Sequence, residues 1–179
     1  MKVIICPGVH EGELSDRFIA ALQFSATDCE YLLFPTEKYP AYSPFHLWQW
    51  LQLQSIEREE LLFISFSAGV VAAMGAIIPL QLQKATIKGL VAIDGWGVPL
   101  WGNFPIYRCS HDYFTHWSSA ILGTGQSSFY SDPAVEHLSM WGEPELCCGR
   151  VVHNSYPPQP SSLKEYIQDI VRESNSSNT

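Results

Sequence analysis

A serine flanked by small residues stands where the residue pattern changes its period. In the segment LLFISFSAGVVAAMGA, residues 61–76, Ser67 is preceded by Ser65 and followed by Gly69. The first half is an apolar run typical of a strand buried on both faces. The second half is rich in alanine and glycine, as in a helix packed closely against a sheet. The segment therefore predicts a sharp strand–turn–helix connection with Ser67 at its apex.

Ser67 in such a turn has the properties of a nucleophile for acyl transfer. Ligands of open α/β sheets bind at the carboxyl ends of the strands, where the serine hydroxyl is presented and the N–H of Ala68 can stabilise an oxyanion. The same turn is also compatible with close strand–helix packing alone, or with anion binding. A serine hydroxyl needs a base to take its proton and an acid to orient that base. The nucleophile interpretation therefore requires a histidine and a carboxylate elsewhere in the chain.

The segment resembles the nucleophile elbow of the α/β-hydrolases, within them the small serine hydrolases of the retinoblastoma-binding-protein-9 type. SFSAG is similar to the family motif G-x-S-x-G, with Ser65 in place of the first glycine, and PGVHEG at residues 7–12 is similar to the oxyanion loop. The resemblance covers residues 1–97 and implies hydrolysis without a metal or other cofactor. The oxyanion hole that it implies is formed by backbone N–H groups of Val9, His10 and Ala68.

The acid is expected to follow the serine along the chain and to precede the histidine. Asp94 ends a predicted strand, so its carboxylate is expected at the same sheet edge as Ser67, one strand away. In the sequence DGWG the same aspartate is also a residue that turns favour for backbone reasons. Asp112 and Asp132 are the alternative acids.

The choice of the base among six histidines depends on topology. The base of this fold normally lies between the final strand and the final helix, which favours His153. His116 is the next candidate and His137 the third. His111 and His116 do not have the spacing of an HExxH pair, so no metal site is predicted. Of the remaining two histidines, His46 is interpreted as a structural residue of a helix and His10 as a residue that lines the pocket.

The elements that position these residues follow from the alternation of strands and helices up to residue 97. This alternation predicts an α/β fold with a doubly wound, mainly parallel sheet of about five strands and helices on both faces. Residues 98–130 are irregular and aromatic, and the segment at about 97–130 is predicted to form a lid. Its aromatic residues are expected to line an apolar substrate pocket, with Trp96, Trp101 and Phe104 as the candidates. Covering the sheet edge is the other role open to them.

Length and composition limit the organisation of the chain. With 179 residues of which 46% are hydrophobic, we expect a single domain over residues 1–173 and a disordered tail at 174–179. Five cysteines without a CxxC pair indicate free thiols. The absence of an apolar run long enough for a membrane span predicts a cytoplasmic protein without membrane insertion.

The net charge of the chain argues against one class of partner. A formal net charge of -8 with only ten lysines and arginines disfavours nucleic acid as a partner. The sequence thus predicts a small serine hydrolase that cleaves an ester, thioester or amide of a small acyl substrate through an acyl-enzyme on Ser67. The alternative is a non-catalytic protein of the same fold that binds a protein or a small apolar ligand through its aromatic lid. A third and weaker interpretation, a nucleotide binder, lacks a glycine-rich phosphate loop.

Overall fold

One sheet of eight strands organises the part of the chain that the structure, a computed structural model, describes, namely residues 1–23, 29–54, 56, 59–153 and 156–176. The strands are β1 (Lys2–Cys6), β2 (Glu30–Leu33), β3 (Glu60–Phe66), β4 (Thr86–Ile93), β5 (Ile106–Ser110), β6 (Ser127–Ser131), β7 (Cys148–His153) and β8 (Tyr156–Ser162). The helices are α1 (Gly12–Leu22), α2 (Pro44–Gln52), α3 (Ala68–Leu82), α4 (Tyr113–Ser119), α5 (Ser139–Gly142) and α6 (Leu163–Ser176), and a 3₁₀ turn at Ala120–Leu122 follows α4.

The strand order is β2-β1-β3-β4-β5-β6-β7-β8. Strands β1 to β6 are parallel to one another, whereas β7 and β8 are antiparallel to their neighbours. The carboxyl ends of β1 to β6 therefore meet at one side of the sheet, which we call the carboxyl edge; the opposite side is the amino edge. The prediction of an α/β fold with a mainly parallel sheet is confirmed. The predicted number of about five strands is wrong, because the sheet has eight.

Two apolar layers hold the helices on the two faces of the sheet. Alternate residues of β1 face opposite layers, as the pleat of a strand requires: Val3 and Ile5 belong to one buried cluster, and Ile4 to the other. The first cluster packs against α1, α5 and α6, and the second against α2 and α3. Leu80 near the end of α3 is still buried although Pro79 precedes it, so this proline does not end the helix.

The segment predicted as a lid instead contributes two strands to the sheet. Residues 97–130 contain β5 and nearly all of β6, and both strands lie inside the sheet. Their sequences, IYRCS and SSFYS, include buried polar residues instead of a continuous apolar run. These residues are Arg108, Ser110, Ser127, Ser128 and Ser131. Buried polar side chains conceal a strand from a search for apolar runs, which is why the lid prediction is wrong for these stretches.

The C-terminal helix begins at a capping box formed by Ser162 and Glu165. The Ser162 hydroxyl accepts a hydrogen bond from the N–H of Glu165 at 3.2 Å, and the Glu165 carboxylate accepts one from the N–H of Ser162 at 3.0 Å. Helix α6 continues to Ser176, so the predicted disordered tail is wrong for residues 174–176. Residues 177–179 lie outside the described residues. None of the helices in the described part of the chain combines the length and apolar character that crossing a bilayer requires.

Candidate active site

Ser67 occupies a strained turn between β3 and α3. Strand β3 is internal, with β1 and β4 on either side, and Ser67 directly follows its last residue with φ 51° and ψ −118°. A non-glycine residue in such a conformation costs on the order of 1 to 3 kcal/mol. A helix-capping serine is normally extended and accepts an amide hydrogen bond, whereas the Ser67 side chain makes no capping bond. The predicted sharp strand–turn–helix connection with Ser67 at its apex is confirmed.

Glycines on both sides of the turn allow the backbones to pass closely. A Cβ atom at Gly69 would clash with the carbonyl oxygens of Cys6 and Pro7, and a Cβ atom at Gly8 would lie 3.0 Å from the Cβ of Ser67. The loop that follows β1 is therefore packed directly against the serine. This contact explains why small residues surround Ser67 in the sequence.

The packed loop also carries the predicted oxyanion donors. Gly8 touches Ser67, so the next two residues, Val9 and His10, lie beside the elbow. Ala68 is the first residue of α3, and its N–H has no acceptor within the helix by position. The convergence of these N–H groups on one point near the serine oxygen stays a prediction.

Asp94 follows β4, the neighbour of β3, and lies at the carboxyl edge one strand from the serine. The N–H of Ser67 donates to the carbonyl oxygen of Ile93 at 2.8 Å, which places the two strand ends side by side. The Asp94 backbone also has a positive φ, 52°, and its side chain is only 1% exposed. A buried carboxylate requires hydrogen-bond donors.

Two histidines supply those donors. Nδ1 of His137 lies 2.6 Å from Oδ2 of Asp94, and Nδ1 of His111 lies 2.8 Å from the same oxygen. The N–H of His111 donates to Oδ1 at 3.0 Å. Asp94 thus orients two imidazole rings, which come from the ends of two different strands.

The two histidine rings differ in their remaining contacts. Nε2 of His111 lies 3.6 Å from Oδ2 of Asp112, so this ring is placed between two carboxylates. The His137 ring instead stacks on Phe66, the residue before Ser67, with ring centroids 4.7 Å apart. Its side chain is 43% exposed. Of the two rings, His137 therefore better matches a base beside the serine.

His153 lies at the other edge of the sheet. It is the last residue of β7 and pairs with Ser127, the first residue of β6, because β7 runs antiparallel to β6. The length of β6 separates it from the carboxyl edge by about 13 Å, and four strand spacings separate β7 from β3 by about 19 Å. The prediction that His153 is the base paired with Asp94 is therefore wrong.

The remaining polar candidates make their closest contacts with residues other than Asp94. Asp112 caps α4 by accepting the N–H of Thr115 at 2.6 Å, and Asp132 lies 3.6 Å from the guanidinium of Arg150. His116 packs against Tyr130 with ring centroids 5.0 Å apart. Burial, followed by the charge of Arg108, lowers its pKa. His116 is thus a partly buried packing residue of α4.

The predicted pocket residues are divided between the two edges. Trp101 and Phe104 precede β5, so they lie at the amino edge, where they line an open cleft with residues 123–126. Phe104 is buried in the apolar layer beneath that cleft. Their assignment to a pocket around Ser67 is wrong. Trp96 follows Asp94 and lies at the carboxyl edge, where its indole N–H donates to the hydroxyl of Ser118 in α4 at 3.3 Å.

Helix α4 has polar residues on its inner side and aromatic residues on its outer side. Thr115 and Ser119 are buried. Four aromatic residues in or beside this helix are more than half exposed, namely Trp96, Tyr113, Phe114 and Trp117. A cluster of large exposed apolar side chains is unusual for a surface that faces only water.

The buried cysteines nearby do not offer a second nucleophile. Burial raises the pKa of the Cys6 thiol to about 12. Burial also raises the pKa of Cys109 well above its ordinary value, and the Asp94 carboxylate raises it further. Because the thiolate is the reactive form, neither of these thiols is activated for nucleophilic attack.

The sequence pattern does not single out His111, and it places His137 behind His153 and His116 as a candidate base. The signal was present, since His111 directly follows β5 and His137 lies six residues after β6. The sequence does not reveal this signal, because neither β5 nor β6 has the continuous apolar run by which a buried strand is recognised. Searches of protein-family models and of curated protein sequences gave no match to this chain.

Proposed function

We propose that this protein is a serine hydrolase of the α/β-hydrolase type, which cleaves an ester, thioester or amide through an acyl-enzyme on Ser67. In this proposal His137 is the base and Asp94 orients it. The observation that carries the proposal is a buried carboxylate, one strand away from a strained serine, that holds Nδ1 of His137 at 2.6 Å. This combination is what activation of a serine hydroxyl requires.

The proton route follows from this hydrogen bond. A proton on Nδ1 of His137 that is donated to Asp94 leaves the lone pair on Nε2, which accepts the Ser67 proton as Oγ attacks the carbonyl carbon. The N–H of Ala68 and one N–H from Val9 or His10 stabilise the oxyanion. The protonated Nε2 then donates to the leaving group, and water releases the acyl group by the same sequence of steps. The mechanism requires Nε2 to come within roughly 2.6 to 3.2 Å of Oγ.

The direct test is labelling with a fluorophosphonate probe, because this reagent measures serine activation without knowledge of the substrate. We expect one probe molecule per chain, located on Ser67 by peptide mass spectrometry. Ser67→Ala should remove the label. Ser65→Ala is the matched control, since this neighbouring serine is fully buried, and it should retain the label. Wild-type protein that is folded and does not react would contradict the proposal.

A second candidate function is binding without catalysis. The observation that favours it is the exposed aromatic cluster of α4 and Trp96, which suits an apolar ligand or a protein partner. An environment-sensitive apolar dye would report such binding. If the dye binds, Trp117→Ala weakens it and the probe does not react with Ser67, the binding function replaces the hydrolase.

A further inference from the structure

The cluster of Asp94, His111 and His137 contains more imidazole than a catalytic triad uses. One histidine is sufficient to activate a serine, yet here two Nδ1 atoms lie 2.6 and 2.8 Å from a single carboxylate oxygen. The ligand atoms of the three side chains all lie within 4.8 Å of one another. Two imidazoles and one carboxylate are also a common ligand set of catalytic zinc sites.

The geometry can accommodate a zinc ion after small movements. Tetrahedral zinc with bonds of about 2.0 to 2.2 Å separates neighbouring ligand atoms by about 3.3 Å. From their present distances of 2.8 and 2.6 Å, Nδ1 of His111 and Nδ1 of His137 therefore have to move away from Oδ2 by about 0.5 and about 0.7 Å. Their side chains are 30% and 43% exposed, so they have room to move, whereas the buried Asp94 stays in place. The partial exposure also leaves a fourth position for water.

The second oxygen of Asp94 is already held in a way that suits a metal ligand. Its Oδ1 accepts the N–H of His111 at 3.0 Å. Hydrogen bonds of this kind fix the orientation of a ligand carboxylate. Nδ1 of His111 lies 3.0 Å from Oδ1 and 2.8 Å from Oδ2, and Nδ1 of His137 lies 2.6 Å from Oδ2. Oδ2 is thus the oxygen closest to both rings and the one that would face the ion.

We propose that Asp94, His111 and His137 bind one Zn²⁺ ion, through Oδ2 and the two Nδ1 atoms. Imidazole and carboxylate are ligands that zinc accepts readily. The sequence could not predict the site, because its ligands follow three different strands and are 17 and 26 residues apart along the chain.

Zinc binding has a consequence that rests on the proposed function. A neutral imidazole that coordinates zinc through Nδ1 carries its proton on Nε2. Nε2 of His137 then has no lone pair to accept the Ser67 proton. Zinc at this site is therefore expected to inhibit the hydrolase reversibly, and removal of the ion restores the base.

The binding test is calorimetric titration of the protein with ZnCl₂ in a Cys148→Ser background, because Cys148 is an exposed free thiol that can bind zinc by itself. We expect one equivalent to bind. His111→Ala and His137→Ala should each weaken the affinity at least tenfold, while His153→Ala, at the amino edge, should leave it unchanged. Circular dichroism verifies folding, and His111→Gln and His137→Gln replace any alanine variant that unfolds.

The proposal is overturned if no saturable binding of one equivalent occurs, or if both histidine variants bind as tightly as the background protein. A second measurement separates it from the hydrolase proposal. ZnCl₂ should slow fluorophosphonate labelling of Ser67, and EDTA should restore the rate. Zinc binding without any labelling means that the hydrolase proposal fails alone, whereas labelling without zinc binding means that the metal site fails alone.

Discussion

The two edges of the sheet contain similar residues but differ in how these residues are held. At the carboxyl edge, Ser67 and Asp94 both have positive φ values, and the Asp94 carboxylate holds two imidazole rings. At the amino edge, His153 lines a cleft of about 180 Å³ together with Tyr107 and Tyr166. There the buried hydroxyl of Tyr166 bonds to that of Ser127 at 2.7 Å. Backbone strain combined with a buried charge is thus found at the carboxyl edge, which is where we place the chemistry.

The comparison shows that strand direction determines the edge of the sheet at which a histidine lies. Both histidines lie late in the chain. His153 is the last residue of β7, and His137 lies in the loop after β6. Strand β6 runs parallel to β3, so the residues after it arrive at the carboxyl edge. Strand β7 runs the opposite way, so its last residue arrives at the amino edge. The position of a residue along the chain does not reveal this reversal.

The largest expected effect comes from Asp94→Asn. The asparagine keeps the shape but cannot hold both Nδ1–H groups as a carboxylate does, so His137 loses its orientation. We expect the rate of fluorophosphonate labelling to fall by roughly 10³ to 10⁴. Asp132→Asn, which changes an exposed carboxylate away from the site, is the matched control. A loss of less than tenfold would mean that Asp94 is not the acid of the mechanism.

An intermediate effect on stability is expected from Gly69→Ala. The added Cβ would lie 2.6 Å from the carbonyl oxygen of Pro7 and closer still to that of Cys6, and backbone atoms move away only at a cost. We expect a loss of about 1 to 3 kcal/mol in the free energy of unfolding, measured by urea denaturation.

Gly12→Ala is the control for that substitution, because a Cβ there meets no atom within 4 Å. It should leave stability nearly unchanged. Equal stability of the two alanine variants would show that the elbow is packed less tightly against the β1 loop than described.

The smallest effect concerns the pH dependence of stability and His116. Burial lowers the pKa of His116 below its ordinary value of 6.5, so protonation favours the unfolded chain. Its contribution is therefore a loss of stability as the pH falls below about 6.5, which stops at the lower folded pKa. His116→Gln should flatten the stability profile in this window, as measured by thermal unfolding between pH 7 and pH 5. An unchanged profile would contradict the burial of this ring.

The features that could be predicted from the sequence are local. The elbow was recognisable because a close turn requires small residues at Ser65 and Gly69, directly beside Ser67. The position of Asp94 at the same edge followed from a strand with a continuous apolar run.

The features that could not be predicted depend on non-local packing. Strands β5 and β6 bury polar residues such as Arg108, so their sequences predict an aromatic lid instead of strands. As a result Trp101 and Phe104 were placed at the wrong edge. Because the sequence does not reveal these two strands, it also does not predict that the loops carrying His111 and His137 lie next to Asp94.

The most direct test of the account is a comparison of His137→Ala with His153→Ala in the rate at which Ser67 reacts with a fluorophosphonate. Both variants remove one imidazole that solvent can reach, one from each edge of the sheet. We expect His137→Ala to lower the rate at least a hundredfold, since general-base assistance contributes roughly 10² to 10⁴, and His153→Ala to keep the wild-type rate. The opposite result, or an unchanged rate in both variants, would contradict the assignment of the base to the carboxyl edge.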